Sequence, residues 1–384
     1  MRKRCPCSVF GVQASLLAVL LGTVPARASV PSADIQPQLA IWCEFMPYAQ
    51  VADALPTLAK YRCDLLLHVG REDVGSAELA KLCRDARAQN VDIAAWFLLP
   101  YDEHLYVGED TVESTRDLAL RFADWAKRED LGVEWVVFDC EPSPILGRRL
   151  YAAARRGRVF QLARILRQEQ DEDRFTRSAA ELNDVIGRLH DAGFRVMGSA
   201  NRVFLDFIER GNTALQDSLN APFSMVKWDR ASFITYRYRA SQAHYVAMVN
   251  HYASLARQRF GEDAALDLGL LGDQRPIPQH RERAELFGGG SHFLGYLDGM
   301  RSTRELREVV GVALGRGVRR IHLYSLEGAV GSVAGLDYWL RAAANSRPLT
   351  GLARWTPVNS ARTSLSGALL NGLFRRLVGA GPTD

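Results

Sequence analysis

Eight short runs rich in β-branched and aromatic residues alternate with helix-patterned stretches over about 300 residues, and few folds accommodate that order. The runs are 39–45, 63–69, 91–99, 133–139, 194–200, 223–229, 265–271 and 320–326. The stretches between them have helical spacing, among them 51–61, 77–89 (with Ser76 as its N-cap), 111–128, 179–192, 203–219, 242–260, 303–314 and 336–344. Alternation of this kind predicts a parallel sheet. Eight repeats predict a (β/α)8 barrel, a TIM barrel, of α/β class over 34–345. An open doubly wound sheet is the rival; the lack of a glycine-rich phosphate loop after the first run argues against its dinucleotide-binding form. Two helical insertions are expected, 145–170 after strand four and 273–301 after strand seven, both over the same end of the barrel. Residues 346–384 form a C-terminal tail with an amphipathic pattern over 364–378.

The fourth run organises the chemistry. Val133–Phe138 reads as a buried strand, with Asp139 and Glu141 at its C-terminal end and Pro142 as its stop. Side chains two apart on a strand leave the same face. Trp135, Val137, Asp139 and Glu141 therefore share one face, and Cys140 points away. The ends of barrel strands are where catalytic groups collect; the plainer alternative is a solvated turn. Other strand ends and loops bring Glu44, Asn201, Lys227, Asp229, Tyr324 and Glu327 to the same mouth, with Trp42, Trp96, Tyr101, Tyr106, Trp228 and Tyr236 as aromatic neighbours. Flat aromatic faces stack on pyranose rings, and carboxylates serve as acid, base or nucleophile at a glycosidic bond. Any single tryptophan in a strand is as well explained by core packing.

The N-terminus reads as an export signal. Arg2, Lys3 and Arg4 precede an apolar run, Val9–Val24, and Ala26-Arg27-Ala28 is a small-x-small cleavage site. This predicts removal of residues 1–28 and a periplasmic or extracellular protein without a stable membrane anchor. The chain has 48 basic and 44 acidic residues. Four of the basic ones belong to the signal, so the mature chain is formally neutral, and nothing in its charge argues for nucleic acid as a partner. Cys43, Cys63, Cys83 and Cys140 remain after cleavage. Cys63 and Cys83 are a candidate disulfide in an oxidising compartment, two buried thiols being the alternative. The cysteines match no zinc spacing and the histidines form no His-x-His or His-x-x-x-His pair, so neither a metal nor another cofactor is expected. The oligomeric state is not legible.

Three segments carry a resemblance. Phe138-Asp-Cys-Glu141 resembles the strand-four end of glycoside hydrolase family 18, the chitinase-like barrels, whose motif ends Asp-x-Asp-x-Glu; Val137 stands where the earlier aspartate would be. Met225-Val-Lys-Trp-Asp229 is similar to the family's strand-six Met-x-Tyr-Asp, and Leu323-Tyr-Ser-Leu-Glu327 to its strand-eight segment. The resemblance implies a glycoside hydrolase acting on a polysaccharide or oligosaccharide, with Glu141 as general acid/base and Asp139 orienting a 2-acetamido group that replaces an enzyme nucleophile. It also implies the alternative of a carbohydrate-binding barrel that does not cleave. Cys140-Glu-Pro142 is similar as well to the Asn-Glu-Pro of the large clan of retaining barrels, which takes its nucleophile from strand seven; Asp273 is the acid on offer there. Outside the substrate-assisted scheme, Asp229, Asp273 and Glu327 are the candidate nucleophiles.

Overall fold

The computed structural model describes residues 35–156, 158–237, 241–279 and 299–349. Residues 1–34, including the segment read as an export signal, most of the second expected insertion and all but the first residues of the tail lie outside them. Eight parallel strands close into a barrel in sequence order: β1 (Gln38–Cys43), β2 (Cys63–Val69), β3 (Ile93–Phe97), β4 (Trp135–Cys140), β5 (Arg195–Asn201), β6 (Arg230–Tyr236), β7 (Ala264–Gly269) and β8 (Arg320–Tyr324). β8 returns to β1 with Tyr324 opposite Trp42.

Alternation along each strand builds two cores. Outward residues such as Ile41, Leu65, Leu67, Phe97, Val136, Phe138, Leu266 and Leu323 pack with the surrounding helices into one large apolar cluster. Inward residues Ala40, Trp42, Leu66, Ala94, Trp96, Val137, Met197 and Tyr324 fill the barrel. Trp42 and Trp96 meet edge-on, with centroids 4.8 Å apart. β4 follows this rule: Val137 faces in, and Cys140 faces out with Phe138.

Ser76 caps the helix Ala77–Ala88 by accepting from Leu79 N. Thr111 precedes the helix Val112–Arg128 but has another task, accepting from Gly108 N and donating to Tyr106 O. The first insertion is a helical hairpin, Pro144–Arg155 and Val159–Glu169. Its halves join through Leu146, Ala153 and Ile165. Leu166 docks it on Phe207 and Ala214, from the two short helices that follow β5.

The sixth strand departs from the expectation by a full strand length. Residues Phe223–Met225 form a 3-10 turn, and the ladder begins only at Arg230. Trp228 is the cause. Its indole N–H donates to Phe223 O, its ring stacks on Phe223, and both fold against Gly198 on the outside of β5. A side-chain carbon at 198 would lie 2.5 Å from the Trp228 ring, so glycine is needed for this close approach. Residues 230–236 then alternate as a barrel strand does: Ala231 and Phe233 outward, Ser232 and Tyr236 inward.

The four described cysteines are buried free thiols, so the expected Cys63–Cys83 disulfide is not formed. Cys63 lies against its neighbour's carbonyl at the start of β2, while Cys83 sits near Tyr48 of the preceding helix. Burial raises all four thiols, Cys83 to about 12.

Candidate active site at the barrel mouth

The C-terminal strand ends converge on one mouth. β4 ends with Asp139, buried and 6% exposed, and Glu141, half-exposed one step further out. Asp139 lies opposite Ser199 in the ladder, and its carbonyl accepts from Val107 N, tying the loop after β3 to the end of β4. That loop folds inward, putting Leu105 and Tyr106 on the barrel interior and Tyr101 half-buried beside them. From the opposite wall, Tyr324 ends β8 and Tyr236 ends β6, with ring centroids 5.0 Å apart. Tyr324 donates to Glu44 Oε2 at 2.5 Å, and Glu44 is buried just beyond β1. His68, next to last in β2, has its Nδ1 3.1 Å from the Glu44 carbonyl. A cleft of about 320 Å3 opens beside Glu44, walled by His68, Glu72, Asp73 and Glu78.

Several expected site residues are placed elsewhere. Lys227, Trp228 and Asp229 precede β6 and therefore sit at the N-terminal end of the barrel, away from the mouth. Lys227 is exposed and Trp228 packs as described. Asp229 Oδ2 accepts from Val196 N at 2.7 Å and lies 2.8 Å from His190 Nε2, so it pins the starts of β5 and β6. The strand-six resemblance consequently falls on a segment outside the strand. Trp42 and Trp96 are buried inside the barrel, 2% and 3% exposed, and offer no open face for a sugar. Asn201 ends β5, but its side-chain oxygen accepts from Val203 N and starts the next helix. Glu327 is buried; its Oε1 accepts from the backbone N–H groups of Glu44 and Phe45, at 2.6 and 2.7 Å. Its carboxylate anchors the turn after β1. Asp273 is gripped by Arg275, which holds its carboxyl below the usual range.

One polar cluster inside the barrel was not anticipated. Asp267 of β7, 0% exposed, accepts from Trp42 Nε1 (3.2 Å) and Ser232 Oγ (2.5 Å) at Oδ1 and from Ser199 Oγ (3.1 Å) at Oδ2. His322 Nδ1 lies 2.9 Å from Oδ1. A buried carboxylate is tolerated only when it is satisfied in this way. The sequence signal was available: a lone Asp between leucines in Ala264–Gly269, and a His between Ile321 and Leu323 in β8. Ser199 is both a ligand of Asp267 and the ladder neighbour of Asp139, so the network abuts the acids of the mouth.

Among the described residues, no group of three or more His, Cys, Asp or Glu side chains is placed to hold a metal ion, and no helix is long and apolar enough to cross a membrane.

No protein-family model matches this chain, and no curated protein matches it. Among solved structures, it is similar to a GH18 chitinase from Pseudoalteromonas aurantia, at 11% identity and TM-score 0.46, over 80% of this chain and 99% of that one. An endo-β-1,4-mannanase from Thermotoga petrophila matches at 10% identity and TM-score 0.45, over 88% and 77%. A D-psicose 3-epimerase matches at 13% identity and TM-score 0.41, over 89% and 100%. Hydrolases and epimerases thus stand side by side among the neighbours, and what they share with this chain is the barrel.

Proposed function

We propose that this chain is a glycoside hydrolase acting on a polysaccharide or oligosaccharide, with Glu141 as general acid/base and Asp139 assisting. The observation that carries the reading is the pair on β4: a buried Asp139 beneath a half-exposed Glu141, in a mouth walled by Tyr106, Tyr236 and Tyr324. A protonated Glu141 would deliver its proton to the departing glycosidic oxygen. The negative Asp139 would stabilise the positive charge that grows at the anomeric carbon.

The nucleophile follows from where the other acids are held. Asp229 is at the opposite end of the barrel, Glu327 is buried with Oε1 held by two backbone N–H groups, and Asp273 is gripped by Arg275. This supports substrate assistance, in which a 2-acetamido oxygen attacks and Asp139 orients it. The reading of residues 1–28 as an export signal would place the enzyme outside the cytoplasm, where polysaccharides are met.

The test is release of reducing ends from a panel of 2-acetamido and 2-hydroxy polysaccharides by the wild type and by Glu141→Gln. Cleavage confined to 2-acetamido substrates and abolished in the variant is expected. Binding without cleavage would make the chain a carbohydrate-binding barrel, and cleavage unaffected by Glu141→Gln would overturn the assignment of the acid.

A further inference from the structure

The barrel's other end carries an unexplained concentration of positive charge. A cavity of about 400 Å3 opens there, lined by Gln38, Arg62, Asp64, Arg230, Arg319 and Arg320 among others. Four guanidiniums face one carboxylate. Arg320 is partly compensated, 3.8 Å from Asp263 and donating to the Glu262 carbonyl. Behind the cavity, Arg195 pairs with Glu134 at 2.9 Å. Arg62, Arg230 and Arg319 make no ion pair with a described residue.

Packing explains only part of this. Arg230 and Arg195 lie over the Trp135 ring, at 4.0 and 4.3 Å from its centroid, and together plug the barrel. That contact places the Arg230 guanidinium over the ring without supplying a hydrogen-bond acceptor for its Nε. The Nε atoms of Arg230 and Arg320 are buried with no hydrogen-bond partner among the described residues. Buried donors of this kind require an acceptor. Burial, then Arg320 and Arg195, pull Arg230 down to about 10. Burial, then Asp92, push Asp64 up to about 7. Asp64 is exposed to solvent, which tempers that rise, and it is one carboxylate against four arginines.

We infer that this pocket is a binding site for a small, multiply charged oxyanion, a phosphate or sulfate group, held by Arg62, Arg230, Arg319 and Arg320. Guanidinium forks match the oxygen edges of such groups. The anion would join the starts of β2, β6 and β8, so its binding should stabilise the fold while leaving the mouth open.

The test is a titration of the mature protein with inorganic phosphate, sulfate and a hexose phosphate against chloride at equal ionic strength, read by calorimetry and by melting temperature. Saturable binding and a raised melting temperature with phosphate or sulfate, absent with chloride, are expected. Tighter binding of the hexose phosphate than of inorganic phosphate would identify an ester as the ligand; the reverse order would identify the free ion. Arg62→Gln combined with Arg319→Gln, both exposed and outside the packed core, should weaken binding about tenfold or more. Arg230→Gln should do the same from the buried side. No difference between phosphate and chloride, or variants that keep wild-type affinity, would overturn the inference.

Discussion

Tyr324 donates its hydroxyl hydrogen to Glu44 across 2.5 Å, joining the last strand of the barrel to the turn after the first at the mouth. Both residues are buried, at 8% and 6% exposure. A typical hydrogen bond contributes about 0.5–1.5 kcal/mol net, and more where a buried partner is left unsatisfied. Tyr324→Phe keeps the ring against Tyr236 and removes the hydroxyl that makes that bond. Chemical denaturation should show a loss of this size. A variant as stable as the wild type would show that Glu44 is fully satisfied by its other contacts.

Glu141→Gln removes the transferable proton with little change of shape, and turnover should fall by about 10²–10⁴-fold with substrate binding kept. Asp139→Asn should impair turnover as well and shift the high-pH limb of the pH–rate profile to lower pH, because a neighbouring negative charge no longer holds the proton on Glu141. Full activity in both variants on a substrate the wild type cleaves would remove the pair from the mechanism.

Asp229 should be dispensable for chemistry. It pins Val196 and His190 at the far end of the barrel, so Asp229→Asn should cost about 1 kcal/mol of stability and leave kcat within about twofold of the wild type. A collapse of kcat with the fold intact would return Asp229 to the active site.

Asp267 should be among the most sensitive positions for folding. Asp267→Ala strands Trp42, Ser199, Ser232 and His322 inside the barrel, and a loss of about 3–5 kcal/mol is expected. Expression level and melting temperature read this directly; a melting temperature within a degree or two of wild type would mean that water replaces the carboxylate at little cost.

The thiols should be inert in the folded protein. Burial raises Cys43, Cys63, Cys83 and Cys140 above the ordinary thiol range, so the reactive thiolate is scarce at pH 8. Alkylation of native protein should be slow, and unfolding without reductant should expose all four. Mass spectrometry that found Cys63 and Cys83 joined would contradict the thiol assignment.

Local pattern determined the barrel and its β4 acids. Seven of the eight runs became strands where their β-branched and aromatic residues lie, and strict two-residue alternation was enough to put Val137 and Asp139 inside and Cys140 outside. The β6 segment shows where such reading stops. Phe223-Ser-Met-Val-Lys-Trp-Asp229 has strand composition, yet Trp228 gains more by stacking on Phe223 and seating on Gly198 than by extending, and the ladder passes to the more polar Arg230–Tyr236. Gly198 is 30 residues away in sequence, so only the folded chain brings the two together. Asp267 and Glu327 follow the same logic. Each is an ordinary acid in its local window. The barrel's closure makes one an interior acceptor for donors from β1, β5 and β6 and the other an anchor for the turn after β1. A carboxylate's role depends on which donors reach it, and strand-to-strand register, not local sequence, decides that.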